Sequence, residues 1–149
     1  MRKNSGFTLT ELMVTIAVVA ILASVAVPNF IAWLPNYRLQ NGAEEIQSAL
    51  QLARITAIKE NATATVTFDT ANETYQASVL KSGVVRIFRR GRMPAGVDIN
   101  SAVFGGGTFV QFDSQGTAIN NTDGSAQLIN NLGRAKTITV FITGNSRVN

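Results

Sequence analysis

The chain has 149 residues, of which 46% are hydrophobic and 15% are charged, so its composition is that of a globular protein rather than a disordered one. It contains no cysteine and no histidine, which excludes disulfides, thiolate metal sites, cysteine nucleophiles and the commonest general base and zinc ligand. The formal net charge of +4 falls to +2 without Arg2 and Lys3, because 11 basic and 9 acidic residues then remain, and this is too weak on its own to imply a nucleic-acid partner.

The first predicted element is an apolar run over residues 7–27, preceded by two basic residues, Arg2 and Lys3. As a helix it would span roughly 31 Å at about 1.5 Å per residue, which matches a hydrocarbon core of about 30 Å. No Lys or Arg follows until Arg38, so the positive-inside bias predicts a cytoplasmic N-terminus with the rest of the chain across the membrane. The run contains one ionisable residue, Glu11.

Three interpretations of this run differ in how they account for Glu11. A plain membrane anchor and an ordinary secretory signal cut near residues 24–26 both leave a carboxylate without a partner in lipid, which is costly. In the third, cleavage between Gly6 and Phe7 creates an α-amino group one helical turn before Glu11. The ammonium and the carboxylate can then neutralise each other, within one subunit or between neighbours.

The stretch GFTLTELMVTIAVVAILASVAVP resembles the class III signal of type IV pilins and pseudopilins, in which a basic leader ends in glycine and the mature chain has Phe first and Glu fifth. The resemblance implies that a prepilin peptidase removes residues 1–6 by cutting after Gly6, and that Phe7 is then N-methylated. It implies that residues 7–35 anchor the protein in the inner membrane before they enter a filament core, where Glu11 registers neighbouring subunits. The expected partners are the peptidase, an inner-membrane assembly platform and other pilin or pseudopilin subunits.

A second helical pattern continues to about residue 61. Apolar residues recur at steps of three and four along one face, as expected of a helix that packs on a domain core: Leu39, Ala43, Ile46, Leu50, Ala53 and Ala57. The polar residues fall largely on the other face: Glu44, Glu45, Gln47, Gln51 and Arg54. We expect one long, bent helix over residues 7–61, with two helices broken between Pro28 and Pro35 as the alternative.

From Ala62 the apolar period changes to two, which predicts a hairpin of residues 64–68 and 75–79 joined by a turn. Three further strands are expected at residues 84–88, 109–112 and 137–142, and residues 120–133 are predicted to be a polar loop around a short strand. The expected architecture for residues 36–149 is a periplasmic α+β domain of type IV pilin-like fold, a mainly antiparallel sheet packed on the second half of the helix.

Three segments extend the resemblance: RRGRMPAGVDI, FVQFDSQGTA and TITVFITGNSRVN. They are similar to the GspH/FimT branch, which comprises minor pseudopilins of type II secretion and minor pilins of type IV pili. An F-x-x-x-G turn, here residues 112–116, and a T-G-x-x-R tail recur in that branch. The resemblance implies a structural subunit that takes part in filament assembly or initiation, with no catalytic residues, no cofactor and no metal.

The densest group of charges consists of four arginines after the predicted hairpin: Arg86, Arg89, Arg90 and Arg92. One interpretation is a solvated edge or a turn after a strand, where positive charge discourages unwanted strand pairing. The others are a contact with an acidic neighbouring subunit and a contact with nucleic-acid phosphates. The first requires no partner, whereas the other two make this segment a binding surface.

A second set of basic residues is predicted to form a small patch near the closing strand: Arg134, Lys136 and Arg147. FimT-type competence pilins resemble this domain and bind DNA through a C-terminal G-R-x-R motif, which residues 144–147 match with Asn145 in place of the first arginine. No aromatic residue is interleaved for stacking on bases. A DNA-binding minor pilin for natural transformation is the alternative function. An exported soluble enzyme is a third hypothesis, which the missing His and Cys disfavour.

Overall fold

The computed structural model describes residues 7–119 and 123–149. The predicted leader, residues 1–6 with Gly6 at its end, lies outside this part of the chain, as do residues 120–122. The described residues belong to two compact units, one that ends at Leu34 and one that comprises Pro35–Asn149.

The longest element is α1 (Leu9–Glu60), a single α-helix of 52 residues. Its ends lie within two residues of the predicted limits. The alternative of two helices broken between Pro28 and Pro35 is wrong, because helical structure continues through both prolines. Each proline removes only one backbone donor, and its fixed φ of about −65° is close to the helical value.

The face of α1 that packs on the domain is the one that the apolar spacing predicts. All six predicted core residues are buried: Leu39, Ala43, Ile46, Leu50, Ala53 and Ala57. Three residues predicted on the opposite face, Glu45, Gln47 and Arg54, are instead half-buried and hydrogen-bond to the domain. Their long side chains carry the polar ends to partners beside the buried face.

Eight strands follow α1 in the chain. In order they are β1 (Thr63–Asp69), β2 (Thr74–Lys81), β3 (Val84–Arg92), β4 (Val97–Val103), β5 (Phe109–Phe112), β6 (Gly124–Asn130), β7 (Ala135–Val140) and β8 (Ser146–Val148). They form two antiparallel sheets of four strands, in the orders β3-β2-β1-β5 and β4-β6-β7-β8. The predicted α+β class is confirmed, with the strands divided between two sheets.

The first sheet contains the hairpin that the alternating pattern predicts. β1 and β2 pair antiparallel, with Ala64 opposite Val79 and Phe68 opposite Tyr75. β5 has the predicted bounds, whereas β3 continues four residues beyond its predicted end at residue 88. The arginines of this segment therefore belong to an edge strand and not to a turn after it.

Half of the second sheet was not predicted. β4 and β8 are additions to the expected strands, and β7 begins and ends two residues earlier than expected. The short strand expected within residues 120–133 is β6, but it fills seven residues of this stretch and lies between β4 and β7, so the stretch is a central strand more than a polar loop. The signal of β6 is weak because small or polar residues occupy buried positions. Gly124 lies against the ring of Phe104, and Asn130 is buried.

One hydrophobic core joins the buried face of α1 to both sheets. The rings of Phe68 and Phe104 are stacked with their centroids 5.4 Å apart. Phe68 belongs to β1 of the first sheet and Phe104 follows β4 of the second, so this pair links the two sheets. The core thereby fixes both sheets on the helix within the unit Pro35–Asn149.

Candidate assembly and contact sites

Two of the residues predicted to direct processing and assembly, Phe7 and Glu11, lie at the start of α1, where Phe7 is exposed. The backbone N–H and the Oγ1 hydroxyl of Thr8 donate to Glu11 Oε2 over 2.9 and 2.8 Å. The backbone N–H of Glu11 donates in return to Thr8 Oγ1 over 3.2 Å. This reciprocal pair is a capping box, which satisfies backbone donors that a helix leaves free at its N-terminus.

A capping role for Glu11 was not predicted, although the pattern Thr-x-x-Glu ahead of an apolar run is its sequence signal. Glu11 Oε2 accepts both bonds from Thr8, whereas no described residue bonds to Oε1. A negative charge in the first turn also interacts favourably with the helix dipole. Glu11 therefore stabilises its own helix through Oε2, and Oε1 has no partner among the described residues.

The apolar part of α1 has no packing partner in the described chain. Its most apolar stretch is not buried at all, and by length and composition α1 can cross a membrane once. Alanines recur along it at residues 17, 20, 23 and 26, where small side chains permit another helix to approach closely. An apolar surface of this extent requires lipid or other helices around it.

A β-bulge distributes the arginines of β3 between the two faces of the first sheet. Ser78 of β2 pairs with Ile87, and the preceding Ala77 pairs with Arg89, so Phe88 is an extra residue on β3. Phe88 packs against the core, as does the buried Ala77. Arg89 therefore faces the helix, whereas Ile87 lies on the outer face of the sheet.

On the helix side of the sheet, the basic groups bind residues of α1. Arg89 Nη1 donates to Ser48 Oγ over 3.2 Å. Arg86 forms an ion pair with Glu60, the last residue of α1, and Lys81 Nζ lies 4.0 Å from the same carboxylate. These contacts tie the β2–β3 hairpin to the second half of the helix.

Arg90 and Arg92 alternate with these groups and lie on the outer face. Arg90 Nε donates to Gln76 Oε1 over 3.1 Å, across the β2–β3 pair. Arg92 is exposed and is opposite Thr74. The predicted cluster of four arginines thus consists of two that hold the hairpin to the helix and two that face outward.

A buried tyrosine connects this strand to the helix. Tyr75 Oη donates to Glu45 Oε1 over 2.8 Å and accepts from Arg89 Nε over 3.1 Å. Burial raises the pKa of the Tyr75 hydroxyl above its ordinary value. Gly91 makes room for the ring, because a Cβ there would lie 2.3 Å from a ring carbon. The network orders β3 from its inner side.

A second polar network, which was not predicted, joins α1 to the turn after β5 and to the turn before β8. Arg54 Nε donates to the Gly116 carbonyl over 2.9 Å, its Nη1 to Asn145 Oδ1 over 2.7 Å, and its Nη2 to the Thr143 carbonyl over 3.2 Å. Gly144, between the last two partners, has a φ of +78°, and a Cβ there would lie 1.9 Å from the Gly116 oxygen. One guanidinium therefore joins α1 to two turns.

The second basic set is not brought onto one face by the strand register. Lys136 shares its side of β7 with the buried Ile138, whereas Arg147 is opposite Thr139 and lies on the other side. Arg134 is exposed in the turn before β7. The predicted patch of Arg134, Lys136 and Arg147 therefore has its residues at separate places on the second sheet.

The surface of the described residues exposes both basic and apolar side chains. Within residues 7–119 and 123–149 there is no group of three or more His, Cys, Asp or Glu side chains that could hold a metal ion. The exposed basic and apolar side chains are suited to contacts with another macromolecule.

Two solved structures have a similar fold. The type IV minor pilin FimU of Pseudomonas aeruginosa PAO1 superposes with a TM-score of 0.64 at 19% identity, covering 76% of this chain and 90% of that one. The minor pseudopilin EpsH from the type 2 secretion system of Vibrio cholerae gives 0.63 at 13% identity, covering 75% and 96%. At these identities the similarity establishes the type IV pilin-like fold.

Two curated relatives are similar in shorter segments. The type IV major pilin protein PilA of Myxococcus xanthus is 59% identical over 29 residues, which are 20% of this chain and 13% of that protein. A fimbrial protein of Pseudomonas aeruginosa is 37% identical over 60 residues, which are 40% of this chain and 38% of that protein. The chain thus spans well under half the length of these curated relatives.

Two protein-family models match the chain, and together they include most of it. The model of the prokaryotic N-terminal methylation motif matches residues 1–27, which contain Gly6, Phe7 and Glu11. The model of the type II transport protein GspH matches residues 42–144, which contain strands β1 to β7. These matches confirm the resemblance that the sequence motifs predict, and the chain belongs to the GspH family of type II transport proteins.

Proposed function

We propose that this chain is a minor pilin or pseudopilin, a structural subunit that takes part in assembling or initiating a type IV pilus or a type II secretion pseudopilus. The observation that carries the proposal is the surface of α1. Its first part is apolar, of membrane length and unburied, and the same helix continues into a packed domain. Such a segment gains its partners from lipid before assembly and from neighbouring helices afterwards.

The proposed route begins in the inner membrane. A prepilin peptidase cuts after Gly6, Phe7 becomes N-methylated, and the positive leader keeps this end in the cytoplasm. Residues 7–35 then span the membrane once, and residues 36–149 form the periplasmic domain. An assembly platform in the inner membrane and other pilin or pseudopilin subunits are the partners that this route requires.

Glu11 Oε1, to which no described residue bonds, gives the new N-terminus a place to bind. Cleavage creates an α-amino group on Phe7, directly before Thr8. Because Glu11 Oε2 is engaged by Thr8, Oε1 is the oxygen that accepts from this ammonium group, of the same or of a neighbouring subunit. The pairing offsets the cost of keeping a carboxylate in an apolar environment.

The mature N-terminus tests this function. The full chain is isolated from membranes of the cells that encode it, and its intact mass and first residue are determined. We expect a chain that starts at Phe7 and is about 14 Da heavier than the unmodified sequence, from one methyl group. A start near Val27 would indicate ordinary secretion and an uncut chain a plain anchor, and both would contradict the proposal.

DNA binding for natural transformation is the alternative function and has less support. Asn145 stands where the DNA-binding motif has its first arginine, and here it accepts a hydrogen bond from Arg54. A gel shift with the full chain in detergent at low salt tests this alternative, with Arg134→Gln/Lys136→Gln as the variant. No shift at low salt rules it out, because phosphate contacts are strongest under those conditions.

A further inference from the structure

The β2–β3 hairpin concentrates positive charge. Residues 74–92 contain five basic residues and no Asp or Glu, which is a large share of the 13 basic residues in the chain. Lys81 and Arg86 are partly neutralised by Glu60. Arg90 and Arg92, on the outer face, have no acidic partner among the described residues. The hairpin therefore presents uncompensated positive charge to the outside.

Beside this charge the hairpin exposes an apolar patch. Val85 pairs directly with Leu80 across the two strands, and their side chains are 62% and 47% exposed. Ile87 is two residues from Val85 and extends the same outer face. We call these three residues the hairpin patch. An ordinary protein surface exposes single, scattered apolar residues, whereas here three branched apolar side chains are adjacent on one exposed face.

The hairpin also has a free strand edge. Among the described residues, β3 is the outermost strand of the first sheet and pairs only with β2. Arg90 and Arg92 border an open recess of about 370 Å³ that is also lined by Thr74, Tyr75, Gln76 and Gly91. Arg90 binds Gln76 through Nε. Its two terminal nitrogens have no hydrogen-bond acceptor among the described residues. Guanidinium groups placed in this way can bind carboxylates in a bidentate manner.

We propose that the hairpin patch, together with Arg90 and Arg92, docks an acidic, partly apolar segment of a neighbouring filament subunit. This inference rests on the proposed function. The positive charge on the edge strand β3 repels a second basic strand, and it attracts a segment that carries carboxylates. The apolar residues bury against the partner while the two arginines bind its carboxylates at the rim.

The same surface fits a protein partner better than a nucleic acid. Aliphatic side chains supply no stacking platform for bases, and the aromatic residue of this strand, Phe88, packs against the core. A phosphate backbone would use the arginines but leave Leu80 and Val85 exposed. The hairpin lies beside Glu60, the last residue of α1, and therefore at the opposite end of this part of the helix from Pro35.

Photo-crosslinking in the cells that encode the protein tests the proposal with the full chain. The photoreactive residue benzoylphenylalanine replaces Val85 in one strain. It replaces Val103 in a second strain, as a control that is 59% exposed on β4 of the other sheet. In a third strain it replaces Ile16 in the apolar segment, where adducts report helix packing in the filament.

We expect position 85 to form an adduct with another protein that carries the N-terminal methylation motif, at a peptide that contains Asp or Glu. Arg90→Glu/Arg92→Glu should lower the yield of this adduct by about tenfold or more, and changing the partner's acidic residue to Lys should restore it. Arg147→Glu, a charge reversal on β8, serves as the matched control and should leave the yield unchanged. Thermal unfolding of the purified variants verifies that both fold.

The proposal is overturned if position 85 gives no more adduct than position 103, if charge reversal has no effect, or if the adduct is removed by nuclease. The Ile16 adduct separates this failure from that of the proposed function. If it forms while the position 85 adduct is absent, the subunit assembles and only the docking surface is wrong. If neither forms, the structural role in a filament is wrong as well.

Discussion

Arg54 and Asn145 are 91 residues apart in the sequence, and a hydrogen bond of 2.7 Å joins Nη1 of the first to Oδ1 of the second. The same guanidinium holds the carbonyls of Gly116 and Thr143. A single side chain of the helix thus orders the F-x-x-x-G turn and the turn before β8, the two loops that the resemblance to the GspH/FimT branch singled out.

We expect Arg54→Ala to destabilise the domain by about 2 kcal/mol, because hydrogen bonds to a charged group are lost and two carbonyls are left unpaired. Thermal unfolding of the full chain in detergent measures the effect. Gln51→Ala, an exposed position about one turn earlier on α1, is the control and should be nearly neutral. Equal melting temperatures for the two variants would show that the Arg54 network does not stabilise the domain.

Gly144→Ala and Gly83→Ala form a matched pair. Both glycines have a positive φ, +78° and +79°, which costs a residue with a side chain about 1–2 kcal/mol. Nothing lies within 4 Å of a Cβ at Gly83, whereas at Gly144 it would meet the Gly116 oxygen at 1.9 Å. We therefore expect Gly144→Ala to be less stable than Gly83→Ala by about 1–3 kcal/mol in denaturant unfolding. Similar losses would contradict the close approach of these turns.

Three variants separate the two roles of Glu11. Glu11→Gln keeps an oxygen for the capping box and removes the charge, whereas Glu11→Ala removes both. Thr8→Ala keeps the charge and removes the hydroxyl of the cap, at a cost of about 1 kcal/mol to the helix. We expect all three to be cleaved normally, which the mass of the mature chain verifies.

Incorporation into filaments, measured by immunoblotting of sheared filaments, should fall roughly tenfold for both Glu11 variants, since an ion pair is lost in each. Thr8→Ala should incorporate nearly as well as the unchanged protein. Normal incorporation of Glu11→Gln would refute the pairing with the α-amino group. Defects in Glu11→Ala and Thr8→Ala, with normal incorporation of Glu11→Gln, would indicate that Glu11 acts through the capping box alone.

Asp113 gives the domain a pH dependence at the acidic end. Its carboxylate accepts hydrogen bonds from the Thr117 hydroxyl and from the backbone N–H groups of Thr117 and Gln115. The bonds from Thr117 are the main cause that holds the pKa of Asp113 below its ordinary value of 3.8. A carboxyl whose pKa is lower in the folded state stabilises the fold above the unfolded pKa and loses this contribution as the pH falls through the folded one.

The stabilisation from Asp113 should therefore be complete at neutral pH and decline as the pH falls below about 3.8. We expect Asp113→Asn to flatten this decline in urea unfolding measured between neutral and acidic pH. Asp69, whose pKa is likewise lowered, chiefly by Asn72, titrates in both proteins and cancels in the comparison. Asp98→Asn on β4 is the control. An unchanged pH profile for Asp113→Asn would contradict the prediction.

The predictions that succeeded depend on local repetition. The apolar steps from Leu39 to Ala57 identify the buried helix face, and the alternation around Phe68 and Tyr75 identifies the first hairpin. The strand β6 has no such repetition. Gly124 is required by the ring of Phe104, and the polar Asn130 is tolerated in a buried position because its Oδ1 accepts from the backbone N–H groups of Leu132 and Arg134.

The candidate sites likewise divide into those that could be predicted from the sequence and those that could not. The motif of Gly6, Phe7 and Glu11 is contiguous and could be recognised from the sequence. The roles of Arg54 and Arg89 could not, because their partners come from distant parts of the chain and, for Arg89, because a bulge decides which face it occupies. Helical periodicity indicates the direction of a side chain and not how far its charged end reaches.

The bulge at Phe88 also bears on how related chains of different length should be aligned. If Phe88 were deleted, Ile87 and Arg89 would become adjacent and would still pair with Ser78 and Ala77. A homologue that is one residue shorter at this point can therefore display the same outward and inward side chains. A gap placed at Phe88 preserves that equivalence, whereas a gap placed elsewhere in the strand would match residues from opposite sides of it.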